Sequence, residues 1–212
     1  MHKYKVIITA RSFGQNDEKP YKILHENGFN TFKIPVDKPL SAKELIPHII
    51  DADVIIVGND AVTKEVIEAG KQLKMISRYG VGYDNIDLNE AKRREIIVTN
   101  TPNTNDNSVA DLTFALILSL ARHIPAVVDI VRKQGWQRIM GNEVCNKTLG
   151  MIGMGKIARA VVQRAKGFDM KIICCDVKPD LKYGKKFGIT YCSLEEVCRQ
   201  SDIISIHTPL LP

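Results

Sequence analysis

Between Lys147 and Asp176 the chain reads KTLGMIGMGKIARAVVQRAKGFDMKIICCD, with Gly153-x-Gly155-x-x-Ala158 between an apolar run and a helical pattern and an acid, Asp176, at the tip of the next apolar run. Gly153 permits a tight turn, Gly155 lets an anion approach backbone N–H groups at the positive end of a helix, and Ala158 is small enough for helix-on-strand packing. That chemistry suits a pyrophosphate. Asp176 is placed to accept from both ribose hydroxyls of an adenosine half, and its charge opposes a 2′-phosphate, which favours NAD over NADP. Lys178 offsets part of that repulsion.

A second pair of glycines lies in Ser77-Arg-Tyr-Gly-Val-Gly-Tyr-Asp-Asn-Ile-Asp87. At the carboxyl end of a parallel strand such a loop exposes consecutive N–H groups to a crevice, and Arg78 beside it adds a cation, so the loop can hold a carboxylate. A tight turn into a helix capped by Asp87 explains the same glycines without a ligand.

These groups need elements to hold them. Residues 1–101 alternate strand and helix, with strands expected at Lys5–Thr9, Thr31–Ile34, Asp53–Val57, Lys74–Ser77 and Ile96–Asn100. Ser41 to Glu44 opens a helix with a capping box, and Gly28 stops another. No strand end there carries the dinucleotide glycine pattern, so this is a separate open α/β lobe. Residues 102–212 form the second domain. Ser108-Val-Ala-Asp111 reads as a capping box opening a helix to about Arg122, and its apolar residues surround the axis, which predicts burial on every side between the two lobes. Residues 124–146, with the single Trp136, fit neither alternating pattern and read as an arm on a neighbouring subunit or a local elaboration. Beyond Asp176, Lys178–Phe187 reads as a polar loop. A short strand (Ile189–Cys192), a helix from Ser193 and a strand Asp202–His207 follow, the last adjacent to the first strand of its sheet, so that His207, Thr208 and Pro209 border the cofactor crevice.

Hydrophobic residues make up 44% and charged residues 25%, a globular balance. The net charge of +6 suits small anionic ligands but is explained as well by a solvated lysine-rich surface, and no basic block points to nucleic acid. The apolar runs are too short for a signal peptide or a membrane span, and five cysteines without a C-x-x-C pair read as reduced structural thiols, which together predict a cytoplasmic protein. No His, Cys and carboxylate cluster has metal-ligand spacing.

In order along the chain, RYGVGYDNID, NTPN, NSVADLTFALILSLAR, the Trp-x-Arg arm, KTLGMIGMGKIA, Asp176 and IHTPLLP resemble the NAD-dependent D-isomer-specific 2-hydroxyacid dehydrogenases, and among them the 3-phosphoglycerate dehydrogenases. The resemblance implies a flavodoxin-like parallel-sheet substrate lobe followed by the first half of a Rossmann doubly wound domain. The enzyme it implies moves hydride between NAD and C2 of a small anionic 2-hydroxy or 2-oxo acid, and is a homodimer built through residues 108–146. It makes Val81 and Gly82 the carboxylate-binding amides with Arg78 and Arg138 toward the substrate, and Val109 a nicotinamide-side contact. Gly153, Gly155, Lys156 and Ile157 become the pyrophosphate turn, Asp176 the ribose acid, and His207, Thr208 and Pro209 further cofactor contacts.

Three departures qualify it. Asp111 stands where the family has Glu, and Gly58 stands where phosphoglycerate enzymes have an Arg for the phosphate. The family's catalytic Arg, Glu and His correspond to positions beyond Pro212, so no catalytic residue is assigned here. Two alternatives from other classes are a non-catalytic NAD-binding protein of the same fold and an inactive truncated product.

Overall fold

The structure, a computed structural model, describes residues 4–209. The chain divides into two units, Met1–Thr104 and Asn105–Pro212. The expected division fell at 101/102.

The first unit is built from β1 (Tyr4–Ile8), α1 (Lys19–Glu26), β2 (Phe29–Lys33), α2 (Ala42–Ile49), β3 (Val54–Val57), α3 (Lys64–Ala69), β4 (Met75–Arg78), α4 (Leu88–Arg93) and β5 (Ile97–Thr99). The strands form one parallel sheet in the order β2-β1-β3-β4-β5, so β1 and β3 flank the point where the winding reverses. Both sheet faces are apolar because helices cover both. Ile7, Ile55, Val57 and Ile76 pack with Leu45 and Ile49 of α2 and Val66 and Ile67 of α3, while Val6, Ile8 and Ile56 meet Tyr21 and Leu24 from the α1 side. The capping box of Ser41 and Glu44 forms as the sequence predicts. Strand β2 begins two residues earlier than expected.

The second unit comprises α5 (Asp106–Ala121), α6 (Ile124–Arg132), β6 (Thr148–Ile152), α7 (Lys156–Ala165), a short 3-10 turn (Lys166–Phe168), β7 (Lys171–Cys175), α8 (Leu181–Phe187), β8 (Ile189–Tyr191), α9 (Leu194–Gln200) and β9 (Ile203–Ile206). Its parallel sheet runs β8-β7-β6-β9, which puts β9 beside β6 as the doubly wound order requires. The core joins Leu149 and Met151 of β6, Val161 and Val162 of α7, and Ala110, Phe114 and Ile117 of α5, with the Phe114 and Phe168 rings stacked at 5.4 Å.

Three sequence expectations are corrected. Helix α5 starts at Asp106 rather than at a Ser108 box, and its N-cap, Asn105, makes no side-chain cap hydrogen bond. Asp111 is drawn away by Arg164 of α7, whose Nε donates to Asp111 Oδ1 at 2.6 Å. Within its unit α5 is buried on one face only: Ala110, Phe114 and Ile117 join the core on the side of α7, whereas Leu112, Leu116 and Leu120 are exposed, Leu120 by 78%. The segment read as a polar loop contains α8, started by Asp180, which accepts from Tyr183 N–H at 2.9 Å, and stopped by the left-handed Gly188. Residues 124–146 begin with α6 and continue without regular structure, leaving Trp136 99% exposed. No single helix among the described residues is long and apolar enough to cross a membrane. Leu210, Leu211 and Pro212, the end of the last motif, lie outside the described residues.

Candidate functional site

Strand β6 runs out at Ile152 into Gly153, whose φ of +89° only glycine adopts without strain. Space is tight there too: a Cβ on Gly153 would lie 2.8 Å from the His207 carbonyl oxygen and from Thr208 Cγ2. Gly153 N–H donates to Cys175 O at 2.8 Å and His207 N–H to Ile152 O at 2.8 Å. The ends of β7, β6 and β9 are thereby drawn around one turn. Gly155 is the N-cap of α7 and offers no side-chain cap, and a Cβ there would meet nothing within 4 Å. Lys156 beside it is exposed and Ile157 half-buried, while Ala158 is fully buried against the sheet. The N-terminal N–H groups of this helix thus face open space with the helix dipole behind them, the setting an anion requires.

Asp176 stands across that turn. Its Oδ2 accepts from Met154 N–H at 2.6 Å and its Oδ1 from Lys178 N–H at 2.7 Å, which fixes the carboxylate plane and leaves lone pairs on both oxygens. The following loop is tied to α7 by Arg159, whose Nη2 donates to Asp180 Oδ2 at 2.8 Å and whose guanidinium lies over the Tyr183 ring at 4.1 Å. Val177, 99% exposed, extends the surface beside the carboxylate. His207 is half-buried with Nε2 2.9 Å from Ser205 Oγ, and burial pulls its pKa below the usual value, favouring the neutral ring. Thr208 and Pro209 are exposed next to it. Val109 of α5 is half-buried and lines, with Leu112, Leu116, Leu120, Ile204 and His207, a groove of ≈ 860 Å³. The sequence-predicted cofactor residues of this unit therefore gather on the carboxyl side of its sheet. Burial pushes the neighbouring Cys174 thiol up to about 12, consistent with an inert structural role.

In the first unit β4 delivers Arg78 into the loop that follows. Arg78 is 8% exposed, and burial lowers its pKa while the charge of Asp60 raises it again. Its Nε donates to Gly82 O at 2.7 Å, Nη1 to Tyr79 O at 2.6 Å and Nη2 to Asn59 Oδ1 at 2.7 Å. Gly80, with φ +152°, has the guanidinium packed on it, since a Cβ there would come 2.6 Å from Arg78 Nη1. Val81 and Gly82 are exposed, and among the described residues neither N–H makes a backbone hydrogen bond. Asp87 does cap α4, accepting from Glu90 N–H at 2.9 Å. The turn-into-helix reading and the anion-loop reading describe the same residues: the structure has the Asp87 cap, and it leaves the Val81 and Gly82 N–H groups without a backbone partner. Gly58 follows β3, where a Cβ would fit at 3.6 Å from Ala10 Cα. Arg138 is exposed in the irregular part of the second unit.

Sequence reasoning missed Asp60. It is 1% exposed beneath the Arg78 loop, and its only sequence signal is the Gly58-Asn-Asp60 turn after a buried strand.

Two open parallel α/β units, the second with an uncapped glycine turn and an acid at the next strand's tip, define the doubly wound α/β class. Residues 7–201 match the model of the D-isomer specific 2-hydroxyacid dehydrogenase catalytic domain, and the chain belongs to that family. It is 40% identical over 199 residues to D-3-phosphoglycerate dehydrogenase of Methanocaldococcus jannaschii, covering 92% of this chain and 37% of the relative. It is 38% identical over 181 residues to glyoxylate reductase of Korarchaeum cryptofilum, covering 82% of this chain and 54% of the relative. Among solved structures, D-lactate dehydrogenase of Aquifex aeolicus complexed with NAD and lactic acid superposes with TM-score 0.78 at 31% identity, over 97% of this chain and 61% of that one. The chain therefore spans about a third to a half of the curated relatives named.

Proposed function

We propose that this chain supplies the acid-binding lobe and the adenosine and pyrophosphate half of the cofactor site in an enzyme that moves hydride between NAD and C2 of a small 2-hydroxy acid. The observation that carries the reading is the uncapped N-terminus of α7 under open Gly155, with Asp176 held across the turn by Met154 N–H. Gly153, Gly155, Lys156 and Ile157 hold the pyrophosphate, Asp176 the ribose, and Val109, His207, Thr208 and Pro209 the nicotinamide side. The nicotinamide, when bound, accepts or donates the hydride. Val81 and Gly82 amides and Arg78 hold the carboxylate, with Arg138 as a second cation. No residue described here is given the part of acid or base: the His207 ring is turned to Ser205.

The acid we favour is 3-phosphoglycerate, the substrate in the relative's name at 40% identity. A shorter acid such as glyoxylate is the second reading, and Gly58 favours it by placing no cation after β3. Residues 108–146, which include α6 and the exposed Trp136, form the interface of a homodimer, and the protein works in the cytoplasm.

Titrating the full-length protein with NADH and NADPH tests the cofactor, and turnover of 3-phosphoglycerate against glyoxylate tests the acid. NADH is expected to bind more tightly, with Asp176→Ala narrowing the gap. Equal affinities in the unmodified protein would sink the ribose assignment. Gly58→Arg is expected to shift preference toward the phosphorylated acid.

A further inference from the structure

Asp60 is a buried carboxylate that none of the roles above employs. Thr9 Oγ1 donates to its Oδ2 at 2.6 Å and Gly58 N–H to the same oxygen at 3.1 Å, while Leu40 N–H donates to Oδ1 at 2.8 Å. Each donor comes from a different segment: the end of β1, the turn after β3 and the approach to α2. A carboxylate this deep loses its hydration, and only several hydrogen bonds plus a nearby cation compensate for that loss. Arg78, itself almost entirely buried, feels the charge of Asp60 but makes no direct ion pair with it.

The link between them runs through the turn that carries Asn59. The bond from Gly58 N–H to Asp60 closes a turn with Asn59 at its apex, and Asn59 Oδ1 accepts from Arg78 Nη2. Asn85, from the far end of the glycine loop, donates through Nδ2 to Asp60 O at 2.6 Å and to Gly58 O at 3.3 Å. Val62 N–H donates to Asn85 O and Asp87 N–H to Val62 O, so the two loops are stitched into one body. A guanidinium has five N–H donors, of which three go to Gly82 O, Tyr79 O and Asn59. One N–H on each terminal nitrogen remains, the fork that a carboxylate accepts.

We infer that Asp60 is the positioning residue of Arg78: it fixes the Asn59 turn so that the guanidinium presents its two remaining donors in a single orientation to the substrate carboxylate. The inference rests on the reading that Arg78 holds the acid. Asp60 itself touches no substrate, and its effect on the acid passes through Arg78.

A double-mutant cycle on oxalate binding to the full-length protein with NADH bound, read by calorimetry, tests it. Asp60→Asn keeps the size of the side chain but removes the charge and turns one acceptor into a donor. It is expected to weaken oxalate by about tenfold, to leave NADH affinity unchanged, and to have no further effect in an Arg78→Ala background. Asn59→Ala, at an exposed position, gives a milder loss of the same kind and serves if Asp60→Asn does not fold. In nitrogen-15 spectra, the Arg78 Nε–H is expected to exchange with water faster in either variant than in the unmodified protein. Equal losses from Asp60→Asn with and without Arg78 would show a merely structural role and overturn the inference, as would an unchanged Arg78 Nε–H exchange rate. An Arg78→Ala variant with normal oxalate affinity would instead overturn the carboxylate reading of the loop.

Discussion

The chain carries two G-x-G loops, each following a parallel strand, and they do opposite things with their polar groups. The loop after β4 turns inward: Gly82 O and Tyr79 O both accept from Arg78, and Gly80 is needed because the guanidinium lies where a side chain would be. The loop after β6 turns outward: Gly153 is enclosed by His207 and Thr208, whereas Gly155 has nothing over it and begins a helix without a cap. Beside the unbonded Val81 and Gly82 N–H groups, the first loop carries a cation that belongs to the chain. The second presents bare N–H groups and the end of a helix dipole. The same residue spacing thus serves a built-in charge in one unit and an incoming one in the other.

The largest expected effect separates the two glycines of the second loop. Gly153→Ala sets a Cβ 2.8 Å from a backbone oxygen at a φ of +89°, so unfolding of the second unit in urea is expected to lose about 3 kcal/mol. Gly155→Ala, at φ −71° in open space, should leave stability within about 1 kcal/mol while weakening NADH on the order of tenfold. If both variants lose stability equally, Gly155 is there for packing and the outward reading of the loop fails.

The second loop was legible because its signals are local: an apolar run, two glycines at fixed spacing, a helical pattern and an acid at the next strand's tip. The parallel order of both sheets followed from the same alternation. What escaped the sequence depends on distant partners. Asp60 draws its donors from Thr9, Leu40 and Gly58, and nothing in the turn itself marks a buried carboxylate. Helix α8 was hidden by its lysines and by Gly184, a poor helix former that is there because the Tyr191 ring comes within 2.9 Å of where its Cβ would be. Its terminal signals, Asp180 and Gly188, were present in the sequence and were outweighed by composition. The error on α5 has another cause: apolar residues all around an axis specify burial only if every face has a neighbour, and within its own unit α5 has one on the Phe114 side alone.

A smaller effect is expected in the first loop. Gly80→Ala would bring a Cβ 2.6 Å from Arg78 Nη1, an atom that can move, so the stability loss is expected to be about 1–2 kcal/mol. Oxalate affinity should fall with it because the fork is displaced, and NADH affinity should not. Calorimetry with both ligands decides this, and a variant with normal oxalate binding would show that the orientation of Arg78 does not matter to the acid.

The smallest effect concerns pH, and it probes how tightly the end of β9 closes over Gly153. Burial lowers the His207 pKa in the folded chain, whereas the unfolded chain titrates near the ordinary histidine value of about 6.5. Between those two values the unfolded state binds more protons than the folded one, so stability falls as pH drops through 6.5 toward the folded pKa and is flat above it. Asp180 is held below the usual carboxylate range by Tyr183 N–H and then by Arg159, so its own contribution is lost only at more acid pH and does not overlap this window. Urea midpoints measured from pH 8 down to pH ~5.5 should decline for the unmodified protein. His207→Gln keeps a polar group beside Ser205 but does not titrate, and the difference between the two curves isolates this ring. Parallel curves would mean that His207 accepts its proton as readily in the fold as outside it, and that the turn at Gly153 is more open to water than the lack of room for a Cβ beside the His207 carbonyl implies.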